Sequence, residues 1–544
     1  MKPLPARAPD GECAGQVQFN PFACPGESRV PASPRNILVF QLARFGDLVQ
    51  TWPLLSRLRQ AYPGARLTLL ADQHLLPLQA MGPRMDEVLG FDFQAITSQV
   101  AHHWPEGYQA VEGFLRDLQA RKFDLVFNLN FSRLSLLLTH LLGAPARGYL
   151  PVAGGREFFR EPWLAWICSL VHARRFNRFH LTDVFRHLAP EPATALTGPG
   201  PPALRREAPV IALQLATRHE RRTWPLTHFT RLAQYLADRL EARVLLLGTA
   251  AEQVLGEQLR AALPPALKER VINLQGKTGL TALAEQLKET HLVVSGDTGT
   301  LHLATAMGVP TLALFLGPAL CHETGPYGCG HYVLQAEPLC HPCLEAASPC
   351  PEEGPICLQM LPPGAVARLI SGLLETGNAP LDLDLPAGSR LYRSELDDFG
   401  VHYRYLGEEP PRFLDLVGAA YRRAGAWLAD QVSDMVLKGE GRRLPGAGKH
   451  DLPAAAPAAP QTFLPTPAGN RKNLTAADLA ALEWLVGTLQ ERPQPRLELP
   501  DATTALWPLM AFRTDMAEQG KLQLFYQVKH VFATALERWL AQMR

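Results

Sequence analysis

The chain has 544 residues, more than a single hydrophobic core organises, so two or three domains are expected. Its 53 Lys and Arg against 52 Asp and Glu, with 47% apolar residues, describe a globular protein and exclude a nucleic-acid binder that works by bulk charge. No apolar run reaches the ~18–20 residues of a membrane span and the start of the chain lacks the apolar core of a secretory signal, so a cytoplasmic protein is expected, its nine cysteines mostly reduced.

Residues 1–34 are rich in Pro, Gly and small residues and read as a flexible tail. Asn36–Phe40 is a buried strand that enters a turn, Gln41-Leu42-Ala43-Arg44-Phe45-Gly46-Asp47, and a helix from Leu48 to Ala61. Strands follow at Arg66–Leu70, Glu87–Phe91 and Leu125–Leu129, with a helix at Gly113–Arg121 before the last of them. Strands alternating with helices predict a parallel α/β sheet, here over residues 35–190. Within it REFFREPWLAWICSLVHARRFNRFH interleaves aromatics with arginines. Such a stretch is either a surface for an anionic amphiphile or the membrane interface, or an amphipathic helix packed on the sheet with its basic side solvated.

The Pro/Gly-rich stretch 190–208 reads as a domain connector. A second α/β unit follows over 209–376: a strand at Val210–Gln214, a helix at Leu226–Arg239, a strand at Val244–Leu247 and a helix at Leu280–Glu289. Next come a strand at Leu292–Val294, the turn Ser295-Gly296-Asp297-Thr298-Gly299, a helix from Thr300 to Met307 and a strand at Thr311–Leu316. Two such units in sequence enclose a cleft, the usual place for a ligand. Residues 363–376 form a closing helix. Residues 377–439 read as a mixed extension with a helix at Arg412–Leu437, 440–470 as an Ala/Pro-rich linker, and 471–544 as a helical module beginning at Asn473 and ending with a helix near Gln519–Arg544.

Chemistry-bearing residues recur at strand ends, where ligands sit in doubly wound sheets. Arg44-Phe45-Gly46-Asp47 follows the first strand of the first unit. Thr217 and Arg222, ahead of Trp224-Pro225, follow the first strand of the second unit; Glu252 follows a later one; Asp297, Thr298, Gly299 and His302 surround a helix N-terminus. Free N–H groups and the positive end of a helix dipole suit a phosphate or diphosphate. Asp47 fits a general base and equally a helix cap; Glu252 fits a ribose acceptor and equally a solvated helix start. Cys340, Cys343, Cys350 and Cys357 have a spacing compatible with a structural zinc, with a redox pair or with plain loop cysteines.

Taken together, NILVFQLARFGDLVQTWPLLSRLRQAYPGARLTLLAD, TRHERRTWPLTHFTRLA, SGDTGTLHLATAMGVPTLALFLGP, and TGPYG followed by CHPC resemble the ADP-heptose:lipopolysaccharide heptosyltransferase family, glycosyltransferase family 9. The resemblance covers roughly residues 35–376. It implies a GT-B fold, two Rossmann-like domains facing a cleft, to which the sequence adds a mainly helical C-terminal extension. It also implies an inverting, metal-independent transfer without a cofactor, from a donor expected to be ADP-heptose to a lipid-linked or lipopolysaccharide core-type acceptor. In that scheme Asp47 matches the base; Arg44 and Gly46 lie on the acceptor side. Thr217, Arg222, Glu252, Asp297, Thr298, Gly299 and His302 lie on the donor side, with Arg222 where the family usually carries a lysine. Peripheral contact with the inner membrane and an unknown partner for the C-terminal helices are left open, with no nucleic acid as partner. Two other readings fit the same architecture: a nucleotide-sugar epimerase, or a degenerate scaffold that binds through its C-terminal helices.

Overall fold

In the computed structural model, the described residues are 31, 33–151, 158–160, 162–190, 209–343, 350, 354–380, 382–409, 411–437, 476–489, 505–518 and 522–543. The predicted tail within 1–30, the connector from 191 to 208 and the linker 440–470 lie outside them, as do residues 156, 157 and 161 of the aromatic–basic segment.

The first sheet holds β1 (Asn36–Gln41), β2 (Arg66–Asp72), β3 (Glu87–Phe91), β4 (Leu125–Asn128), β5 (Ala146–Pro151) and β6 (Phe158–Arg160) in the order β3-β2-β1-β4-β5-β6. Only the short β6 runs antiparallel to its neighbour. Both faces of β1 are covered, so Ile37, Leu38, Val39 and Phe40 are all fully buried and the strand reads as a continuous apolar run.

The second sheet holds β7 (Val210–Gln214), β8 (Arg243–Leu247), β9 (Val271–Asn273), β10 (Leu292–Ser295), β11 (Thr311–Phe315), β12 (Tyr332–Ala336), β13 (Ser389–Leu396) and β14 (Val401–Tyr405), ordered β14-β13-β12-β11-β10-β7-β8-β9. From β12 to β9 every pairing is parallel. The helix Leu226–Arg239 covers this sheet with Phe229, Leu232, Ala233, Leu236 and Ala237, spaced i, i+3, i+4, i+7, i+8. In each sheet the strand order reverses beside the first strand of its unit: β1 lies between β2 and β4, β7 between β8 and β10. A ligand crevice belongs at such a point, outside the carboxyl ends.

The α/β expectation holds for both sheets. The mixed extension expected over residues 377–439 contains β13 and β14, an antiparallel edge on the second sheet closed by the Leu396–Val401 pair. Its tight connection is fixed by Asp397, whose Oδ1 accepts from the Phe399 and Gly400 amides at 3.0 and 2.8 Å. The chain then crosses back in the helix Phe413–Leu437, which packs on the helices Pro162–Ser169 and Leu522–Met543. Trp507–Glu518, a helix without a counterpart in the sequence reading, packs on Pro162–Ser169 as well.

The C-terminal helices therefore cover the aromatic–basic segment. Trp163 and Trp166 are fully buried; Trp166 meets Phe512 edge-on at 5.2 Å, and Tyr421 meets Phe532 at 4.6 Å. Arg174 pairs with Glu323 at 2.6 Å, Arg178 with Asp415 at 3.0 Å and Arg186 with Asp183 at 3.1 Å. This corrects both readings of that segment. Trp163, Trp166, Phe176 and Phe179 form core rather than a membrane-facing surface, and these three arginines are held by carboxylates rather than solvated. No helix among the described residues is long and apolar enough to cross a membrane.

Candidate functional site

The site is built where two helix starts meet, one from each unit. The helix Phe45–Ala61 begins directly after β1, and the helix Gly299–Ala306 directly after the β10 turn. Two glycines make the approach possible. A Cβ on Gly46 would stand 2.9 Å from the His302 ring, and one on Gly299 would stand 2.4 Å from the Phe45 ring. Any larger residue at either place would hold the helices apart.

On the first side, Asp47 is half-buried and its Oδ2 accepts from the Arg44 backbone N–H at 3.1 Å, so the capping role is real. Burial pushes its pKa up; the Arg44 amide and the neighbouring charges of His302 and Arg44 only partly offset this, and Asp297 adds to the rise. A desolvated carboxylate at a ligand mouth is a proton acceptor whose affinity is tuned toward neutrality. Capping and base chemistry use different lone pairs and are compatible.

On the second side, Thr298 caps its helix, Oγ1 accepting from the Leu301 N–H at 3.3 Å. Asp297 has a side chain only 9% exposed, yet its pKa is lowered. Burial raises it, but His302, Arg222 and the Thr324 hydroxyl together prevail. The Arg222 guanidinium donates to Asp297 Oδ2 at 2.6 Å and the Thr324 hydroxyl to the same oxygen at 3.1 Å. His302 Nε2 stands 3.7 Å from Asp297 Oδ1, an electrostatic contact longer than a hydrogen bond.

Thr217 adjoins this turn through its methyl group, which a Cβ on Gly296 would approach to 2.8 Å. Its hydroxyl closes the loop by donating to the His219 carbonyl at 2.8 Å. Glu252 stands further along the strand ends. It accepts from the Thr249 N–H at 2.9 Å and from Gln214 Nε2 at 3.3 Å, while Gln214 Oε1 accepts from the Thr300 hydroxyl at 3.0 Å. Gly46, Asp47, Arg222, Asp297, Gly299 and His302 are thus gathered at one place, and Glu252 is tied to it through Gln214 and Thr300.

The sequence reading missed Gln50, Gln214, Thr324 and His180. His180, fully buried, accepts from the Thr182 N–H and donates to the Gly325 carbonyl at 2.8 Å, bridging the units behind Thr324. Burial depresses its pKa to about 3. Thr324 and Gln50 carried a signal, their places in the quoted TGPYG and NILVFQLARFGDLVQ stretches.

Among the described residues, no group of three or more His, Cys, Asp or Glu is arranged to hold a metal ion. Of the four cysteines considered for zinc, Cys340 is exposed, Cys343 and Cys350 are half-buried and Cys357 is buried. Residues 344–349 and 351–353 between them lie outside the described part.

Residues 111–353 match the family described as glycosyltransferase family 9 (heptosyltransferase). Lipopolysaccharide heptosyltransferase 1 of Pseudomonas aeruginosa is 27% identical over 364 residues, 62% of this chain and 98% of that protein. Lipooligosaccharide heptosyltransferase 2 of Haemophilus influenzae is 38% identical over 103 residues, 19% of this chain and 29% of that protein. A solved glycosyltransferase family 9 structure from Veillonella parvula aligns over 62% of this chain and 97% of its own, at 20% identity and a TM-score of 0.49. The chain carries a heptosyltransferase domain of glycosyltransferase family 9, and is a glycosyltransferase.

Proposed function

We propose that this protein moves a heptose from ADP-heptose to a lipopolysaccharide core-type acceptor, with inversion at the anomeric carbon. The single observation that carries the reading is the abutment of Gly46-Asp47 on Asp297-Thr298-Gly299 and His302. It sets a desolvated carboxylate beside a helix N-terminus and a guanidinium. Inversion needs one carboxylate on the face opposite the leaving group. Asp47 accepts the acceptor hydroxyl's proton as that oxygen bonds to the anomeric carbon and the bond to the diphosphate breaks. Arg222 and the amides opening the helix Gly299–Ala306 meet the charge gathering on the diphosphate. That supply of positive charge supports a metal-independent reaction. Asp297, being anionic, serves by orienting Arg222 and His302 rather than by touching phosphate. Arg222 in place of lysine keeps the charge and adds a planar fork. Glu252 is assigned to the ribose hydroxyls.

Work in the cytoplasm on a lipid-linked acceptor, with peripheral contact at the inner membrane, belongs to the same reading. The test is transfer from ADP-heptose to a core acceptor lacking heptose, with UDP- and GDP-sugars in parallel and with chelator present. Product from ADP-heptose alone, formed equally in chelator, is the expected result. No product with any core acceptor, or donor turnover without acceptor, would overturn it.

A further inference from the structure

Resting on the assignment of Asp47 and His302 above, we propose that Gln50 is a positioning residue that fixes the tautomer of His302 and so sets whether its Nδ1 offers the sugar donor a hydrogen-bond donor or an acceptor. Gln50 lies one turn into the helix Phe45–Ala61, four residues beyond Gly46 and three beyond Asp47, so the three share one helix face. Its side chain is 5% exposed and leans back toward the helix start, as helical side chains do.

Nε2 of Gln50 lies 3.3 Å from the Gly46 carbonyl and 3.4 Å from His302 Nε2 on the other unit. An amide nitrogen carries two N–H groups and no acceptor. One goes to the Gly46 carbonyl and the other points at the imidazole. His302 Nε2 is then the acceptor and the ring proton sits on Nδ1. Asp297 competes for the same nitrogen, but from 3.7 Å. Without the Gln50 amide, Nε2–H toward Asp297 is the favoured form, and Nδ1 turns from donor to acceptor.

Among the described residues, two buried atoms in this pair find no hydrogen-bond partner, His302 Nδ1 and Gln50 Oε1. Buried polar groups are nearly always paired in folded proteins. A buried donor on one ring edge and a buried acceptor on the neighbouring amide, both unpaired at the seam between the units, match a group with an anionic oxygen and a nearby hydroxyl. A sugar diphosphate carries both. His302, 4% exposed, has no room to turn the other edge outward. Charged groups around the ring are Asp297 and Arg222 from the donor side and Asp47 and Arg44 from the base side, with the neutral His180 behind.

The experiment compares full-length wild type, Gln50→Leu and Gln50→Glu by nitrogen NMR of labelled histidine, with His302 assigned through His302→Gln. It is paired with donor kinetics across pH. Wild type should show the proton on Nδ1 and Gln50→Leu on Nε2, with kcat/KM for the donor down at least about tenfold. In Gln50→Glu the carboxylate accepts from Nε2–H, so the ring proton moves from Nδ1 to Nε2 there as well. An unchanged tautomer in Gln50→Leu, or a changed one with wild-type kcat/KM, overturns the inference. Should Gln50→Leu not fold, the near-isosteric Gln50→Glu carries the same measurement. Asp47→Asn separates the two levels: full transfer by that variant defeats the underlying reading, whereas an inactive Asp47→Asn beside a wild-type-like Gln50→Leu defeats the Gln50 proposal alone.

Discussion

Arg222 and Asp297 form a 2.6 Å ion pair across 75 residues of sequence, with only 19% and 9% of the two side chains exposed. The guanidinium proposed to meet the donor diphosphate is therefore aimed by a carboxylate that is itself fixed by Thr324. Arg222→Ala should weaken binding of the nucleoside diphosphate about tenfold or more and lower turnover as well, because a charge-assisted contact is lost in both ground and transition states. It should also lower thermal stability, since Asp297 is left buried without its cation. Titration calorimetry with the free diphosphate checks the first effect and a thermal scan the second. Unchanged diphosphate affinity would remove Arg222 from the donor site.

Asp47→Asn separates chemistry from folding. Transfer should fall by about 10²–10⁴. The folded-state pKa of Asp47 is raised, so between its ordinary value and the raised one the native state holds more protons than the unfolded chain. Stability there falls as pH rises, and the ionised carboxylate costs stability at neutral pH. The Asn variant, still able to accept from the Arg44 amide, should melt a few degrees higher at pH 7. The difference should vanish near pH 3. A variant that melts lower at pH 7 would mean that capping outweighs desolvation.

Gly299→Ala should impair catalysis by pressing on Phe45, whose ring a Cβ would reach at 2.4 Å. A fall in kcat/KM of about tenfold or more is expected from so small a misplacement near the chemistry. Phe45→Ala added to it should recover part of the loss, a coupling that a double-mutant cycle measures. Additive losses would show that the ring contact is not what glycine permits.

Phe512→Ala should cost about 3–5 kcal/mol, because Phe512 is fully buried against Trp166 of the first unit. Trp507→Ala, at a side chain 54% exposed, should cost under about 0.5 kcal/mol. Denaturant unfolding of the two variants gives both numbers. For the same reason a chain ending near residue 440 should aggregate, since Trp166 and Tyr421 lose the rings that cover them. A soluble truncated chain of wild-type stability would show that the C-terminal helices add nothing to the core.

The elements legible in the sequence are those whose cause is local. Glu87–Phe91, Val210–Gln214, Leu226–Arg239 and the helix at residues 363–376 stand where apolar periodicity, a leading Pro and a trailing Gly put them. The places of Gly46 and Asp47 at one helix start, and of Asp297, Gly299 and His302 at the other, are likewise legible, because a strand that runs into a glycine turn and a helix is a local pattern with a known place at the sheet's edge.

Tertiary structure alone decided what depends on distant partners. Residues 389–405 alternate too weakly to announce a hairpin, and they become strands because β12 offers an edge to pair with. Arg174 and Arg178 looked like a solvated or membrane-facing basic stripe because Glu323 and Asp415, which neutralise them, lie 149 and 237 residues away. Gln50 was an ordinary helix residue until the fold laid His302 against it, 252 residues later in the chain. A sequence carries the periodicity that makes helices and strands, since that depends on neighbours a few residues apart. The sign and partner of a buried charge are set by whichever segment the chain brings back, and that is fixed only when both units close on one core.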